Sequence, residues 1–371
     1  MSGVYKICNR CILDSNIPDI TFDSNGICSY CAQHDELEKK YPKGDAGKKQ
    51  LDALVRKMKK QGKKHKYDCI VGVSGGADST FSLYLAVKLG LRPLAVLFDN
   101  GWNSEIAVSN IKNVTDKLGV DLETYVVDWE EFKSILISFL KASVPDTDIP
   151  SDIGIKSTLY RTAAENKIGY VITGVNFRTE GIMPRKWSYM DGRYIKKVHK
   201  MFSGTGIKHF PNLTLFDYIN YIFIKKIKAI GILRYFDYGK DEIKKIISDE
   251  LGWRDYGGKH FESIFTRFNQ TKIRYDKFGY DMRLIEYAAL VRSGYMSRID
   301  ALEKLKKPPY TDEQLEDDVN YVIKKLGLTR DEFDYIYNLP PKSYLDYPTY
   351  YPLFNKLQPL MQFISRFVKR I

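Results

Sequence analysis

The run Ile70-Val71-Gly72-Val73-Ser74-Gly75-Gly76-Ala77-Asp78-Ser79-Thr80 constrains the fold more than any other part of the chain. A short β-branched apolar stretch meets a Ser-Gly-Gly turn, and Phe81 to Leu89 then reads as a helix. A strand that feeds a glycine turn at a helix N-terminus is an anion site, because free N–H groups and the helix dipole both favour negative charge there. Gly75 and Gly76 permit φ > 0 and a close backbone approach. Ser74, Ser79 and Thr80 add hydroxyl donors, and Asp78 can hold Mg²⁺ against bound phosphates.

No G-x-x-x-x-G-K-[ST] run is present, so this is not a P-loop. The string S-G-G-x-D-S resembles instead the pyrophosphate loop of the PP-loop ATP pyrophosphatases. That resemblance implies ATP cleavage to AMP and pyrophosphate with adenylation of a carbonyl oxygen. Two further apolar runs support a buried parallel sheet. Leu94 to Phe98 ends in Asp99-Asn100-Gly101-Trp102, and Tyr170 to Thr173 ends in Gly174-Val175-Asn176. Strand ends of this kind line the ligand crevice of open α/β sheets. The first ending resembles a strand of the GMP synthetases that lies beside the nucleotide, and the second resembles an adenine-side wall. Taken singly, Asp99 and Asn176 read equally well as turn residues.

Cys8-x-x-Cys11 and Cys28-x-x-Cys31 are two matched pairs, the spacing of a zinc ribbon in which four thiolates close a tetrahedral site. With no leader and no apolar run long enough to span a bilayer, the expectation is a cytoplasmic chain. A reducing compartment argues against disulfides. Structural Zn²⁺ is the expected occupant. The formal net charge of +12 favours anionic ligands, whether nucleotides, sugar phosphates or RNA. After Cys69, which reads as a buried strand residue, the chain contains no further cysteine. Protein-borne sulfur is thereby disfavoured as the nucleophile. Neither an N-terminal nucleophilic cysteine nor a G-x-C-x-G elbow is present, so ammonia from glutamine would require a separate subunit.

Later strings sharpen the resemblance. Asp148-Ile149-Pro150-Ser151-Asp152, Asn176-Phe177-Arg178-Thr179-Glu180-Gly181 and Tyr256-Gly257-Gly258-Lys259-His260-Phe261-Glu262-Ser263, in that order behind the ribbon and loop, resemble the N-acetyl sugar amidotransferases of bacterial surface-polysaccharide and LPS biosynthesis. The likeness runs from the ribbon to about residue 305. It implies ATP-dependent conversion of an acetamido group on a nucleotide-linked sugar into an acetamidino group, with a separate glutaminase and a cyclase-like ammonia-channel subunit as partners, and no membrane. It also implies roles. Ser74, Gly75, Gly76, Asp78, Ser79 and Thr80 would hold pyrophosphate and Mg²⁺, and Asp99, Gly174 and Asn176 would border adenosine. Arg178, Thr179, Glu180, Glu262 and Arg267 would face the acceptor. Asp78, Glu180, Lys259 and His260 are the candidate catalytic groups, Glu180 as the acceptor of a proton from ammonia.

The expected architecture is α/β, a doubly wound parallel sheet with an N-terminal zinc ribbon and a C-terminal helical region. Its divisions are a ribbon at 1–40, a linker helix at 41–61, a nucleotide domain at 62–235 and helices at 236–371. Within these, Asp14 to Gly26 reads as two short strands, Leu213 to Leu233 as an amphipathic helix packed into the core or a domain interface, and Leu357 to Val368 as a last helix. A PP-loop enzyme that modifies tRNA is the alternative, supported by the ribbon and the positive charge.

Overall fold

The computed structural model describes residues 5–258 and 261–357. Five parallel strands form one sheet in the order β3-β2-β1-β4-β5. They are β1 (Cys69–Gly72), β2 (Pro93–Asp99), β3 (Leu122–Val126), β4 (Tyr170–Thr173) and β5 (Lys228–Gly231). Successive side chains of a strand part to opposite faces. Ile70, Leu94, Val96 and Phe98 enter one core, while Cys69, Val71, Ala95 and Leu97 enter the other. Burial on both faces is why β1, β2 and β4 read as unbroken apolar runs.

The helices are α1 (Ser29–Lys40), α2 (Gly44–Gly62), α3 (Ala77–Lys88), α4 (Glu105–Leu118), α5 (Trp129–Lys141), α6 (Ile149–Glu165) and α7 (Gly192–Ser203). After them come α8 (Leu215–Ile219), α9 (Lys240–Leu251), α10 (Ile264–Phe268), α11 (Met282–Ser293), α12 (Arg298–Leu305), α13 (Asp312–Leu326) and α14 (Arg330–Tyr337). Their ends are written locally. Ser104, Asp128, Asp191, Thr311 and Thr329 cap N-termini with side-chain oxygens. Gly119, Gly204, Gly252, Gly294 and Gly327 close C-termini in the left-handed conformation.

Helices α2, α3, α4 and α9 cover one face, and α5, α6, α7, α10, α13 and α14 cover the other. Helices α9, α10, α13 and α14, all after residue 236, therefore complete the sheet's two cores. Trp253 joins the core of Val71 and Leu97, while Phe265, Val322 and Phe333 join that of Ile70 and Val96. A third cluster unites the four ribbon cysteines with Trp187, Ile285, Ala288 and Ala301.

Two expectations change, and a third is not tested. The ribbon carries isolated bridges, Ile7 with Asp14 and Phe22 with Cys28, where two strands were expected. Leu213 to Leu233 is not one helix. α8 continues as a π-helical turn over Asn220–Ile224, the chain reverses at Lys226 with φ 55°, and β5 follows. Pairing with β4, a long-range contact, overrides the helical periodicity there. The final helix at 357–368 lies outside the described residues beyond Leu357.

Asp146, between α5 and α6, is fully buried and accepts hydrogen bonds from Tyr194 Oη (3.2 Å) and the Tyr189 N–H (3.1 Å). Burial pushes its carboxyl up to about 6. Unfolded Asp titrates near 3.9, so between about pH 4 and 6 the folded state holds more protons and stability falls as pH rises. Asp146→Asn should abolish that fall. Relative to wild type it should gain on the order of 2 kcal/mol between about pH 4.5 and 7.5, measured by urea denaturation at both values.

Candidate active site

The order of the strands reverses between β1 and β4, and the next helices along the chain from these two strands, α3 and α7, pack on opposite faces of the sheet. Such a switch point opens a crevice at the carboxyl ends of the strands. A cavity of about 890 Å³ occupies it. Ser74, Gly76, Asp78 and Ser79 line its floor, Gly174 and Glu180 one side, and Glu262 another.

The loop is shaped before any ligand arrives. Ser79 Oγ accepts from the Ser74 N–H at 3.2 Å and donates to the Gly76 carbonyl at 3.1 Å. Gly75 has φ 79°, and a Cβ there would fall 2.4 Å from the Ala107 carbonyl oxygen. The Gly75 carbonyl oxygen accepts from Trp253 Nε1 at 2.9 Å and Asn110 Nδ2 at 3.4 Å. Gly174 serves close packing. A Cβ on it would stand 3.1 Å from the Ser79 nitrogen, so β4 can end directly against the first turn of α3. A Cβ on Gly76 would meet Glu262 Oε1 at 3.1 Å and both Ser74 Oγ and Tyr256 Oη at 3.2 Å. Tyr256 Oη accepts from the Ala77 N–H at 3.3 Å, over the loop. Burial, then the Glu262 carboxylate and more weakly Asp78, raise its phenol well above the ordinary value.

Other expected site residues stand elsewhere. Thr80 is buried in α3, its N–H bonded to the Gly76 carbonyl. Asp99 turns from the cavity and accepts from the Gly101 N–H, while its neighbour Asn100 lines the wall and donates to Ser151 Oγ at 3.1 Å. Asn176 is buried and organises the turn after β4, accepting from the N–H groups of Arg178, Thr179 and Glu180. The Glu180 carboxylate answers the Asn176 N–H at 3.0 Å. Thr179 is buried.

Arg178 does not face the acceptor side. It is wholly buried, paired through Nε and Nη2 with Glu38 of α1 at 2.7 and 2.5 Å, and bonded to the carbonyls of Arg234 and Tyr41. A guanidinium's planar fork suits this fourfold satisfaction. Arg267 likewise pairs in two places with Asp318 of α13 and is absent from the cavity wall. Lys259 and His260 lie outside the described residues. The wall also contains residues the sequence reading assigned no role. Lys240 and Lys244 come from α9, and Arg274, Arg283 and Glu286 come from the segment through α11. They are charged positions inside ordinary helical patterns, which carry no sequence signal of their own.

The ribbon sulfurs of Cys8, Cys11, Cys28 and Cys31 all lie within 4.8 Å of one another and are buried without disulfides. The Cys8–Cys31 and Cys11–Cys28 separations of 3.8 and 3.7 Å are close to the edge of a tetrahedron with metal–sulfur bonds of about 2.3 Å. Backbone N–H groups of Arg10, Cys11 and Cys28 point at Cys8 Sγ, as a thiolate requires. The cluster can hold a metal.

Removing the Arg178 guanidinium leaves the half-buried Glu38 carboxylate and the Arg234 and Tyr41 carbonyls without their donor. Arg178→Met should therefore cost about 1–3 kcal/mol in urea unfolding while leaving the metal content of the ribbon unchanged. Gly75→Ala, strained and in collision with Ala107, should abolish nucleotide binding measured by titration calorimetry.

Residues 262–360 match the family described as LPS biosynthesis protein WbpG-like, C-terminal domain. An uncharacterized protein of Methanocaldococcus jannaschii, MJ1599, is 25% identical over 306 residues, covering 81% of this chain and 93% of the relative. The tRNA-specific 2-thiouridylase MnmA of Photorhabdus laumondii is 30% identical over 128 residues, 30% of this chain and 35% of that protein. Among solved structures, the NMN synthetase of Francisella tularensis aligns with TM-score 0.37 and 16% identity over 76% of this chain and 96% of its own. The U34-tRNA thiolase NcsA of Methanococcus maripaludis aligns with TM-score 0.32 and 14% identity, over 71% and 81%. Both structural likenesses are loose. Residues 262–360, which supply one wall of the cavity from Glu262 to Glu286, are similar to the C-terminal domain of WbpG-like LPS biosynthesis proteins.

Proposed function

We propose that this chain is an AMP-forming amidotransferase that converts an acetamido group of a nucleotide-linked N-acetyl sugar into an acetamidino group. The observation that carries the reading is the continuity of one cavity. Its floor is the Ser-Gly-Gly loop at the N-terminus of α3, and its far wall is the WbpG-like domain. An anion-binding floor and a second charged wall in one space fit two substrates held side by side.

An amide is a poor electrophile, and its oxygen is a poor leaving group. Attack of the acetamido oxygen on the α-phosphorus of ATP forms the oxygen–phosphorus bond and breaks the bond to pyrophosphate. Ammonia then adds to the imidate carbon, and the original amide oxygen departs with AMP. In this scheme the N–H groups of Gly76 to Asp78 and the hydroxyls of Ser74 and Ser79 receive the phosphates. Asp78, with Glu262 across the loop, offers the hard oxygen donors that suit Mg²⁺, which when bound would offset phosphate charge. Gly174 gives adenosine access past β4. Glu180, which lines the cavity, would accept the proton that ammonia sheds. Zn²⁺ in the four-cysteine cluster would be structural.

Ammonia suits the inventory of sulfur. Cys69 is fully buried in β1, and burial drives its thiol far above the ordinary range. The other four cysteines are committed to the ribbon cluster. A separate glutaminase and an ammonia-channel subunit would then supply nitrogen. The tRNA-modifying alternative has one specific support, the local similarity to a tRNA 2-thiouridylase.

Purified protein given ATP, ammonium chloride and a UDP-linked diacetamido uronic acid should release AMP in step with the sugar mass change of oxygen replaced by NH. Asp78→Ala should stop turnover with the fold intact by circular dichroism. AMP release that depends on tRNA and on no sugar of a panel including nonulosonates would overturn the reading in favour of the alternative.

A further inference from the structure

We infer that the outward face of α8 and its π-helical continuation is a peripheral docking surface for an anionic lipid membrane. The inward face is accounted for. Tyr218 and Tyr221 rest on Tyr160 of α6 with ring centroids 6.3 and 5.7 Å apart, and the Lys156 ammonium lies 4.8 Å over the Tyr218 ring. The opposite face is also apolar. Phe216 is 80% exposed, Phe223 70% and Ile224 70%, with Ile219 exposed between them. Positions 216, 219 and 223 recur at helical spacing, so these side chains form one stripe. A helix apolar on both faces is expected to be covered on both, and a patch of this kind marks an interaction surface.

Charge identifies what covers it. Lys225, Lys226 and Lys228 follow the stripe at once and are all exposed. The acids nearby are occupied. Asp217 is held in the capping box with Thr214, and Glu165 lies 3.9 Å from Arg161. A second copy of the chain related by a two-fold axis would set these lysines against themselves. Aromatic and aliphatic side chains bordered by lysines are instead the composition of elements that lie in the headgroup region of anionic bilayers. Among the described residues no helix is long and apolar enough to cross a membrane, so the contact is peripheral. Placement agrees. The stripe precedes β5, and the Lys228 N–H bonds to the Gly169 carbonyl where β4 begins. This is the end of the sheet opposite the cavity, which a membrane contact would leave open.

The test is co-sedimentation of the full chain with phosphatidylglycerol–phosphatidylethanolamine vesicles and with phosphatidylcholine vesicles at low ionic strength. Wild type should partition onto the anionic vesicles alone. Phe216→Ser/Phe223→Ser and Lys225→Glu/Lys226→Glu, all at exposed positions, should each lower partitioning about tenfold or more with unchanged melting temperature. No binding of wild type to anionic vesicles overturns the proposal, as does undiminished binding of both variants. Competition by soluble polyglutamate that ignores the phenylalanine variant would reduce the surface to charge alone. A wild-type dimer in light scattering that this variant dissociates would assign the face to a second copy.

Discussion

The hydrogen bonds received by the Gly75 carbonyl hold the rest of the site together. They come from Trp253, which follows α9, and from Asn110 in α4, so one peptide of the loop joins three segments distant in sequence. Asn110 also exchanges hydrogen bonds with the Arg254 backbone, donating at 2.8 Å and accepting at 2.9 Å. A glycine in the left-handed region is needed because the Ala107 carbonyl leaves no room for a Cβ. The Ser-Gly-Gly loop is consequently a tertiary structure, held in shape by segments distant in sequence.

A second brace sets the far side of the cavity. Helix α1 carries Cys31 of the ribbon and, two turns on, Glu38, which grips the buried Arg178 of the loop after β4. The ribbon also meets the C-terminal region, where Arg298 donates to the Cys11 and Cys8 carbonyls. Ser293 at the end of α11 donates to the Arg178 carbonyl at 3.1 Å. The four-cysteine cluster therefore stands behind two cavity walls without touching the cavity. Arg178 is wholly buried while Glu38 is half-buried, so the pair contributes geometry more than stability, since desolvation of the guanidinium offsets much of its attraction.

Legibility followed the range of the interactions. The strand and helix around Ser74, the metal-competent ribbon and the helices at 240–251 and 312–326 were readable, because each is set by neighbours within a few residues. Edge strand β3 was not read, since its side chains are mostly exposed and give no apolar signal. β5 was hidden inside an apolar stretch whose local period is helical. Arg178 reads as a substrate ligand from its place after a strand end. Nothing in its neighbours announces Glu38, which lies 140 residues away.

What the sequence alone determined is the doubly wound sheet, the glycine loop at the head of α3 and the four-thiol cluster, all written in short-range patterns of apolarity, glycine and cysteine spacing. Tertiary structure alone decided which charged residues see the cavity. It put Glu180 and Glu262 on the wall, held the buried Arg178 and the half-buried Arg267 in ion pairs, and brought in Lys240, Arg274 and Arg283 from helices that look ordinary in sequence. The physical reason is that a charged side chain's role depends on its partner and its exposure to water. Both are set by packing between segments far apart in the chain.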